Sequence, residues 1–326
     1  MTKQIIFCIM SFVVSATLGK VFIPLLKKLK VGQSERADGP RAHLRKQGTP
    51  TMGGIFMMIA IVIMSIIYMI YSRNGEMIKN ISIITLVSIG FGLVGLLDDY
   101  KKVVLHNTDG LSPKKKIFGL LIISLIYSFL LIKVCGFTTE IIIPFIGNRI
   151  ILPMWLYVIF IIFVMIGSTN AVNLTDGVDG LAGSVSTIMC IGLSIIAVVV
   201  KYEEVSVYSA ICAGACFGFL IYNFYKAKVM MGDTGSLLLG GIISSTAIFM
   251  KLPLVLVMVA IIPILETLSD IIQVFYFQRT GKRIFKMAPL HHHFELSGWR
   301  ENKVVSVFSI VTALANILAI LSVMIY

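Results

Sequence analysis

Apolar residues run in long blocks along this chain, and polar residues are gathered into the intervals between them. Blocks near 5–26, 54–71, 81–97, 117–134, 153–169, 181–200, 205–225, 237–250, 252–275 and 304–325 predict helices. Most approach the roughly 20 residues that carry a helix through about 30 Å of hydrocarbon. The eighth is the shortest, and a full span there draws on residues before Leu237. In the ninth, Pro263 removes a backbone N–H, and Glu266 and Asp270 fall four residues apart on one face. A proline break and acids inside a span call for a protein-lined cavity or a function. The pattern predicts an all-α polytopic integral membrane protein of about ten transmembrane helices, forming a single domain over 1–326, with helix nine broken. The first block is long and no small-residue cleavage site follows it, so it reads as a retained helix. Between the fourth and fifth blocks, TTEIIIPFIGNRIIL (138–152) sets β-branched runs on either side of Gly147-Asn148 and predicts a small β-hairpin. No internal repeat is visible.

Composition agrees: 57% of residues are hydrophobic and 13% charged, which places the chain among membrane proteins. The net charge of +12 is distributed unevenly. The connections at 27–53, 98–116, 170–180, 226–236 and 276–303 hold seven, five, no, two and six Lys or Arg, and the opposite ends and loops hold few. The positive-inside rule puts the first set in the cytoplasm, with both termini and the hairpin extracytoplasmic. The charge is thus a topology signal with some attraction to anionic lipid, and no nucleic-acid partner is implied. Cys8, Cys135, Cys190, Cys212 and Cys216 lie in or beside apolar blocks without a CxxC pair, and read as small packing residues.

The polar chemistry is gathered on the basic side. Asp38, Asp98, Asp99, Asp109, Asp176, Asp179 and Asp233 fall there, with all five histidines, and only Asp270 lies in a span. In GLLDDYKK (95–102) two adjacent acids end an apolar helix, where the helix dipole disfavours them. A solvated end neutralised by Lys101 and Lys102 is one reading; a divalent cation explains the pair better. KQGTPTMGG (46–54) has helix-start residues and, in Lys46 and Thr51, donors for an anion at a helix N-terminus. In STNAVNLTDGVDGLAG (168–183), Asn170, Asn173, Asp176 and Asp179 recur every third residue with Gly177 and Gly180 between them. That spacing is not an EF-hand, and helix capping explains only one of the four. MGDTGSL (231–237) adds Asp233 at a helix mouth. In APLHHHFELSGW (288–299), neighbouring side chains diverge, so His291, His292 and His293 cannot share one ion. Imidazoles contacting a diphosphate or a sugar fit better. LSPKKK (111–116) is a positive-inside anchor that could also receive a phosphate headgroup. Carboxylates, cations, amides and glycine turns at one membrane surface suit phosphoryl transfer between a lipid and a soluble substrate.

These five motifs, in this order between about residues 40 and 300, resemble those of the phospho-N-acetylmuramoyl-pentapeptide-transferases, the MraY translocase family. That family lies within the polyprenyl-phosphate N-acetylhexosamine-1-phosphate transferase superfamily, whose members vary in the histidine loop, and the HHH form resembles the muramoyl-pentapeptide branch. The resemblance implies transfer of phospho-MurNAc-pentapeptide from UDP-MurNAc-pentapeptide to undecaprenyl phosphate, giving lipid I and UMP with Mg2+. It implies a bacterial plasma-membrane enzyme, a homodimer, whose active site faces the cytoplasm. By resemblance Asp233 is the magnesium ligand and Asp98, Asp99 and His291 are catalytic, with Asp98 favoured as the base that keeps the lipid phosphate ionised. A two-step scheme with an aspartate nucleophile stays open. Lys46, Thr51, Asn173, Asp176, Gly177 and Asp179 match nucleoside-binding positions, and His291 and His292 match positions near the diphosphate and sugar. Asn170, Lys114 and Asn223 complete the substrate-binding set. One position departs from the family: an aromatic residue is common where this chain has Met230, whose polarisable sulfur can lie against a ring, with weaker stacking or a substitute ring from Phe224 or Tyr225 as the alternatives. The alternatives are a sister transferase using UDP-GlcNAc and a cation-coupled transporter. The transporter would account for Glu266 and Asp270, but its sites lie near the bilayer midplane between repeats.

Overall fold

The computed structural model describes residues 1–28, 48–103, 105 and 110–325. Lys46, named above as a binding residue, lies outside them, as do Asp38, His43, His106 and Asp109. The helices are α1 (Thr2–Lys28), α2 (Gly54–Ser72), α3 (Gly75–Val103), α4 (Pro113–Phe129, continued by a wider turn to Val134), α5 (Met154–Thr175), α6 (Leu181–Val199), α7 (Glu203–Asn223), α8 (Gly232–Phe249), α9 (Leu256–Val259), α10 (Ile261–Thr280), α11 (Leu290–Glu295) and α12 (Glu301–Met324). Among the described residues, eight of them are long and apolar enough to cross a membrane. A ninth span is the pair Pro253–Val259 and Ile261–Thr280, bent by 84°.

The remaining predicted span is α8, which does draw on residues before Leu237. It starts at Gly232 and is buried without interruption from Thr234 to Phe249. Serines, threonines and glycines interrupt its apolar residues, yet it occupies the centre of the bundle, packed by α2, α3, α5, α6 and α7. Small residues let backbones approach closely in a membrane bundle, where lipid tails are as apolar as leucine. The periphery is left to lipid: only 22% of the α1 span and 28% of the α4 span is buried by protein. The α1–α7 seam is made the same way, with Ser11 Oγ donating to the Ile211 carbonyl at 2.7 Å and Ser15 Oγ to Ala215 at 2.8 Å.

The bend between α9 and α10 has a local cause. In an unbroken helix the N–H of residue 263 would serve the carbonyl of Val259, and proline has none. Asn316 of α12 donates its Nδ2 to that carbonyl instead, at 3.2 Å. Helical bonding resumes with Ile264 N–H to Ala260.

At the end of the bundle away from the aspartates, β1 (Glu140–Ile142) and β2 (Arg149–Ile151) pair antiparallel, with Glu140 opposite Ile151. This is the predicted hairpin. Glu140 accepts from Lys251 at 2.7 Å and from Arg149 at 3.1 Å, and the Lys251 ammonium holds its carboxyl below the usual range. The five cysteines are free, and Cys190, Cys212 and Cys216 are buried.

Candidate active site

The site is built around the N-terminus of α8. Gly232 enters the helix with φ 74°, and the first-turn N–H groups that follow need acceptors. Asp99, at the end of α3, supplies them. Its Oδ1 accepts from the Asp233 N–H at 3.1 Å, and its Oδ2 accepts from the Thr234 N–H at 2.9 Å and the Thr234 hydroxyl at 2.6 Å. The close approach depends on Gly95, one turn back on α3, where any Cβ would overlap the Asp233 carbonyl. An acid that the α3 dipole disfavours is thus held by the favourable end of α8.

Asp98 is held differently. Its Oδ1 accepts the Leu111 N–H at 2.6 Å, and its Oδ2 pairs with Lys102, one turn on. Lys102 also reaches Asp233 Oδ2 at 3.1 Å, and Lys116 reaches the same oxygen at 2.9 Å. The other Asp233 oxygen accepts from Asn173 Nδ2 at 2.8 Å, and that amide also lies 2.8 Å from Ser236 Oγ. Two carboxylates, two ammonium groups and an amide, carried by α3, α4, α5 and α8, therefore converge at one helix mouth.

The α5–α6 connection borders this cluster. The Asp176 carboxyl is pushed well up by burial and by the charges of Asp233 and Asp99. Asp179 Oδ2 accepts the Ala227 N–H at 3.0 Å. Asn223 is buried, with its Oδ1 accepting from Gly180 N–H at 3.0 Å and its Nδ2 donating to Val229 at 2.9 Å. Thr51 is buried with its hydroxyl beside Gly232. Asn170 instead turns back on its own helix, donating to Ile166 at 2.8 Å. Lys114 is exposed on the outer side of the first turn of α4, where Lys116 faces inward. Met230 is buried, and its backbone bonds Pro50 and Gly53. Phe224 is half exposed, with its ring against Gly180.

The three histidines have three different settings. His291 is buried, with Nδ1 3.1 Å from Glu266 Oε2, and its own N–H is directed at both Glu266 oxygens. A carboxylate only accepts, so Nδ1 carries a proton toward Glu266 and Nε2 is the ring atom left for another partner. Nε2 has no hydrogen-bond partner among the described residues and presses on Gly177, where any Cβ would overlap it. His292 tilts over the His291 ring at 4.1 Å, with Nδ1 2.9 Å from Glu295. His293 turns away and accepts the Lys286 N–H on Nδ1 at 3.1 Å.

Residues 81–251, which carry Asp98, Asp99, Asn173, Asp176, Asp179 and Asp233, match the model of glycosyl transferase family 4. Residues 46–56 match the phospho-N-acetylmuramoyl-pentapeptide-transferase signature 1. The phospho-N-acetylmuramoyl-pentapeptide-transferase of Acetivibrio thermocellus is 45% identical over 312 residues, 95% of this chain and 92% of that protein. The one from Bacillus cytotoxicus is 46% identical over 311 residues, 95% and 94% of the two chains. That of Clostridium perfringens strain 13 is 44% identical over 320 residues, 98% of each. The chain belongs to the phospho-N-acetylmuramoyl-pentapeptide-transferases of glycosyl transferase family 4.

In this family member the residues that sequence reasoning passed over are Lys102, Lys116, Thr234, Ser236 and, as a partner for histidine, Glu266. Lys102 was visible as a charge balancing Asp98 and Asp99, and an i,i+4 count from Asp98 would have singled it out. Among the described residues no three His, Cys, Asp or Glu side chains gather as a cage for a metal ion. Magnesium needs less, since one or two carboxylates suffice when water and phosphate oxygens complete the shell. Asp98 and Asp233 flank a single cationic Lys102 Nζ, so the donors present fit such an ion.

Proposed function

We propose that the protein transfers phospho-MurNAc-pentapeptide from UDP-MurNAc-pentapeptide to undecaprenyl phosphate, releasing UMP and forming lipid I, the first membrane step of peptidoglycan synthesis. The observation that carries this reading is the convergence of Asp98, Asp233, Lys102, Lys116 and Asn173 at the α8 mouth, in a chain nearly full-length with its relatives. The reading places this end of the bundle at the cytoplasmic face of the bacterial plasma membrane, because the flanking connections carry most of the Lys and Arg. It takes the working unit to be a homodimer.

Asp98 accepts the proton of the lipid phosphate, whose oxygen then attacks the sugar-bearing phosphorus of the diphosphate. One P–O bond forms, the bond to the bridging oxygen breaks, and UMP leaves with that electron pair. Lys102 and Lys116 offset the charge gathered on the phosphates, which is the main contribution a protein makes to phosphoryl transfer. Asp233 would hold Mg2+; bound there, the ion would neutralise phosphate oxygens and orient the diphosphate. His291 offers Nε2 from a ring fixed by Glu266, and His292 stands over it on the diphosphate and sugar side. Thr51, Asp176, Gly177 and Asp179 border the nucleoside, with the exposed Phe224 ring available to lie against the base.

The test is UMP release from UDP-MurNAc-pentapeptide and undecaprenyl phosphate in detergent, with and without Mg2+, by wild type, Asp98→Asn and Asp233→Asn. Turnover by the wild type alone, abolished by chelation, is expected. Undiminished variants would remove the site assignment, and turnover with UDP-GlcNAc instead would move the substrate to the sister reaction. UMP release without the lipid acceptor would replace direct attack by a two-step scheme.

A further inference from the structure

After its first turns α10 leaves the bundle. Ile271, Ile272, Val274, Phe275 and Phe277 are all exposed on it, and in a membrane protein the medium that meets such a surface is lipid. This apolar stretch ends on Arg279, Lys282, Arg283 and Lys286, four cations in eight residues, and no carboxylate occurs between Asp270 and Glu295. The Arg279 guanidinium stacks on Phe275 at 4.0 Å. Arg283 and Lys286 donate only to backbone carbonyls, and Lys282 is exposed. None of the four pairs with a carboxylate among the described residues.

The segment is nonetheless built, not loose. Gln273 Oε1 accepts the N–H groups of Ile284 and Phe285 at 3.1 and 3.0 Å, and its Nε2 donates to the Phe285 carbonyl at 3.1 Å. The next residue is Lys286, whose N–H His293 accepts. The cationic loop is therefore fastened to the lipid-facing helix at one end and to α11, which carries His291 and His292, at the other.

We propose that Arg279, Lys282 and Arg283 dock the headgroups of anionic phospholipids at the membrane surface, and that this docking steadies the histidine loop. Unpaired cations at the end of a lipid-facing helix match the charge and depth of such headgroups. Bulk phospholipid, and not the acceptor's phosphate, is the occupant, because the cations that meet Asp98 and Asp233 are a separate pair, Lys102 and Lys116, on other helices.

The experiment has two arms, and the first needs no substrate. Wild type and Lys282→Gln/Arg283→Gln, in phosphatidylcholine nanodiscs with increasing phosphatidylglycerol, are compared for phosphatidylglycerol enrichment around the protein. Each basic side chain near such a surface adds about a fivefold gain in affinity, so the double variant should bind on the order of 25-fold more weakly. Lys282→Arg/Arg283→Lys, which keeps both charges, should match wild type. Equal enrichment for all three overturns the proposal whatever the reaction is. In the second arm, transfer is assayed in liposomes of the same lipids. Wild-type rate should rise with phosphatidylglycerol and the charge-removed rate should stay flat, with the two equal in pure phosphatidylcholine. A raised KM for undecaprenyl phosphate in pure phosphatidylcholine would instead assign these cations to the acceptor and overturn the proposal. Equal thermal unfolding of the three proteins in detergent guards against a folding defect.

Discussion

Asp99 and Thr234 meet across the α3–α8 seam, and the Asp99 carboxylate accepts both the backbone N–H and the hydroxyl of Thr234. The neighbouring Asp98 faces Lys102 and, through it, Asp233 instead. Adjacent residues on a helix point about 100° apart, so Asp99 holds the α8 mouth while Asp98 faces the proposed transfer site. Removing them should therefore give different phenotypes. Asp99→Ala leaves three donors unserved and should lower stability by on the order of 2 kcal/mol, seen as a fall in the thermal midpoint in detergent. Asp98→Asn should leave that midpoint close to wild type and reduce kcat by about 10³-fold, within the range for loss of a general base. Matching stability losses for the two would dissolve the distinction.

Three lysines follow Pro113, and the helix they begin turns only one of them into the cluster. Lys116 Nζ lies 2.9 Å from Asp233, whereas Lys114 is exposed. Lys116→Gln should cost roughly 10²-fold in kcat, the scale of losing one preorganised partner of developing charge. Lys114→Gln should stay within about twofold, as an exposed charge away from the chemistry does. A larger loss for Lys114 than for Lys116 would mean that α4 is rotated in the working enzyme.

Gly177 and His291 are packed so closely that a methyl group on the glycine would occupy the place of His291 Nε2. Gly177→Ala must push the ring off its Glu266 support, and a shift of about 1 Å in such a group is worth roughly 10²-fold. The expected result is a fall of that size in kcat/KM with the protein still folded. Gly177→Ser should behave alike, because the obstruction is the Cβ itself. Near-wild-type activity in Gly177→Ala would show that His291 is free to move without consequence.

What could be seen in the sequence follows from how local each feature is. The long lipid-facing helices were legible because their apolar blocks are continuous, and the hairpin because β-branched runs flank Gly147-Asn148. The start of α8 was harder: its first turns carry Asp233, Thr234 and Ser236, which look like loop, but Thr234 and Ser236 are buried against α3 and α5. Asp98 and Asp233 stood out as acids in unusual places. Their partners did not, since Lys102 and Lys116 resemble any positive-inside lysine until the fold brings them together. Glu266 was noticed as an acid inside a span, but its partner His291 is 25 residues on, beyond the reach of any periodicity.

Pro263 marked the break in helix nine, but the residue that accommodates it, Asn316, lies in another span. The Val259 carbonyl lacks the donor that a residue other than proline at 263 would supply, and Asn316 Nδ2 serves it at 3.2 Å. The space for the amide exists because residue 192 is glycine, where a Cβ would overlap Asn316 Oδ1. Asn316→Leu should then leave a buried carbonyl unserved and lower stability by about 1–3 kcal/mol. In a Pro263→Ala background the backbone N–H of residue 263 can take over, so the same substitution should cost less than about 0.5 kcal/mol. The difference is an interaction energy readable in a double-mutant cycle of detergent unfolding midpoints. Strict additivity would mean that the bend stands without Asn316. The cycle also predicts an enzymatic asymmetry. Pro263→Ala lets α10 continue the line of α9 and carries Glu266, three residues on, away from His291. Stability should be kept while transfer activity falls, an outcome that would tie the break to where it puts Glu266; unchanged activity would leave the bend without a part in the reaction.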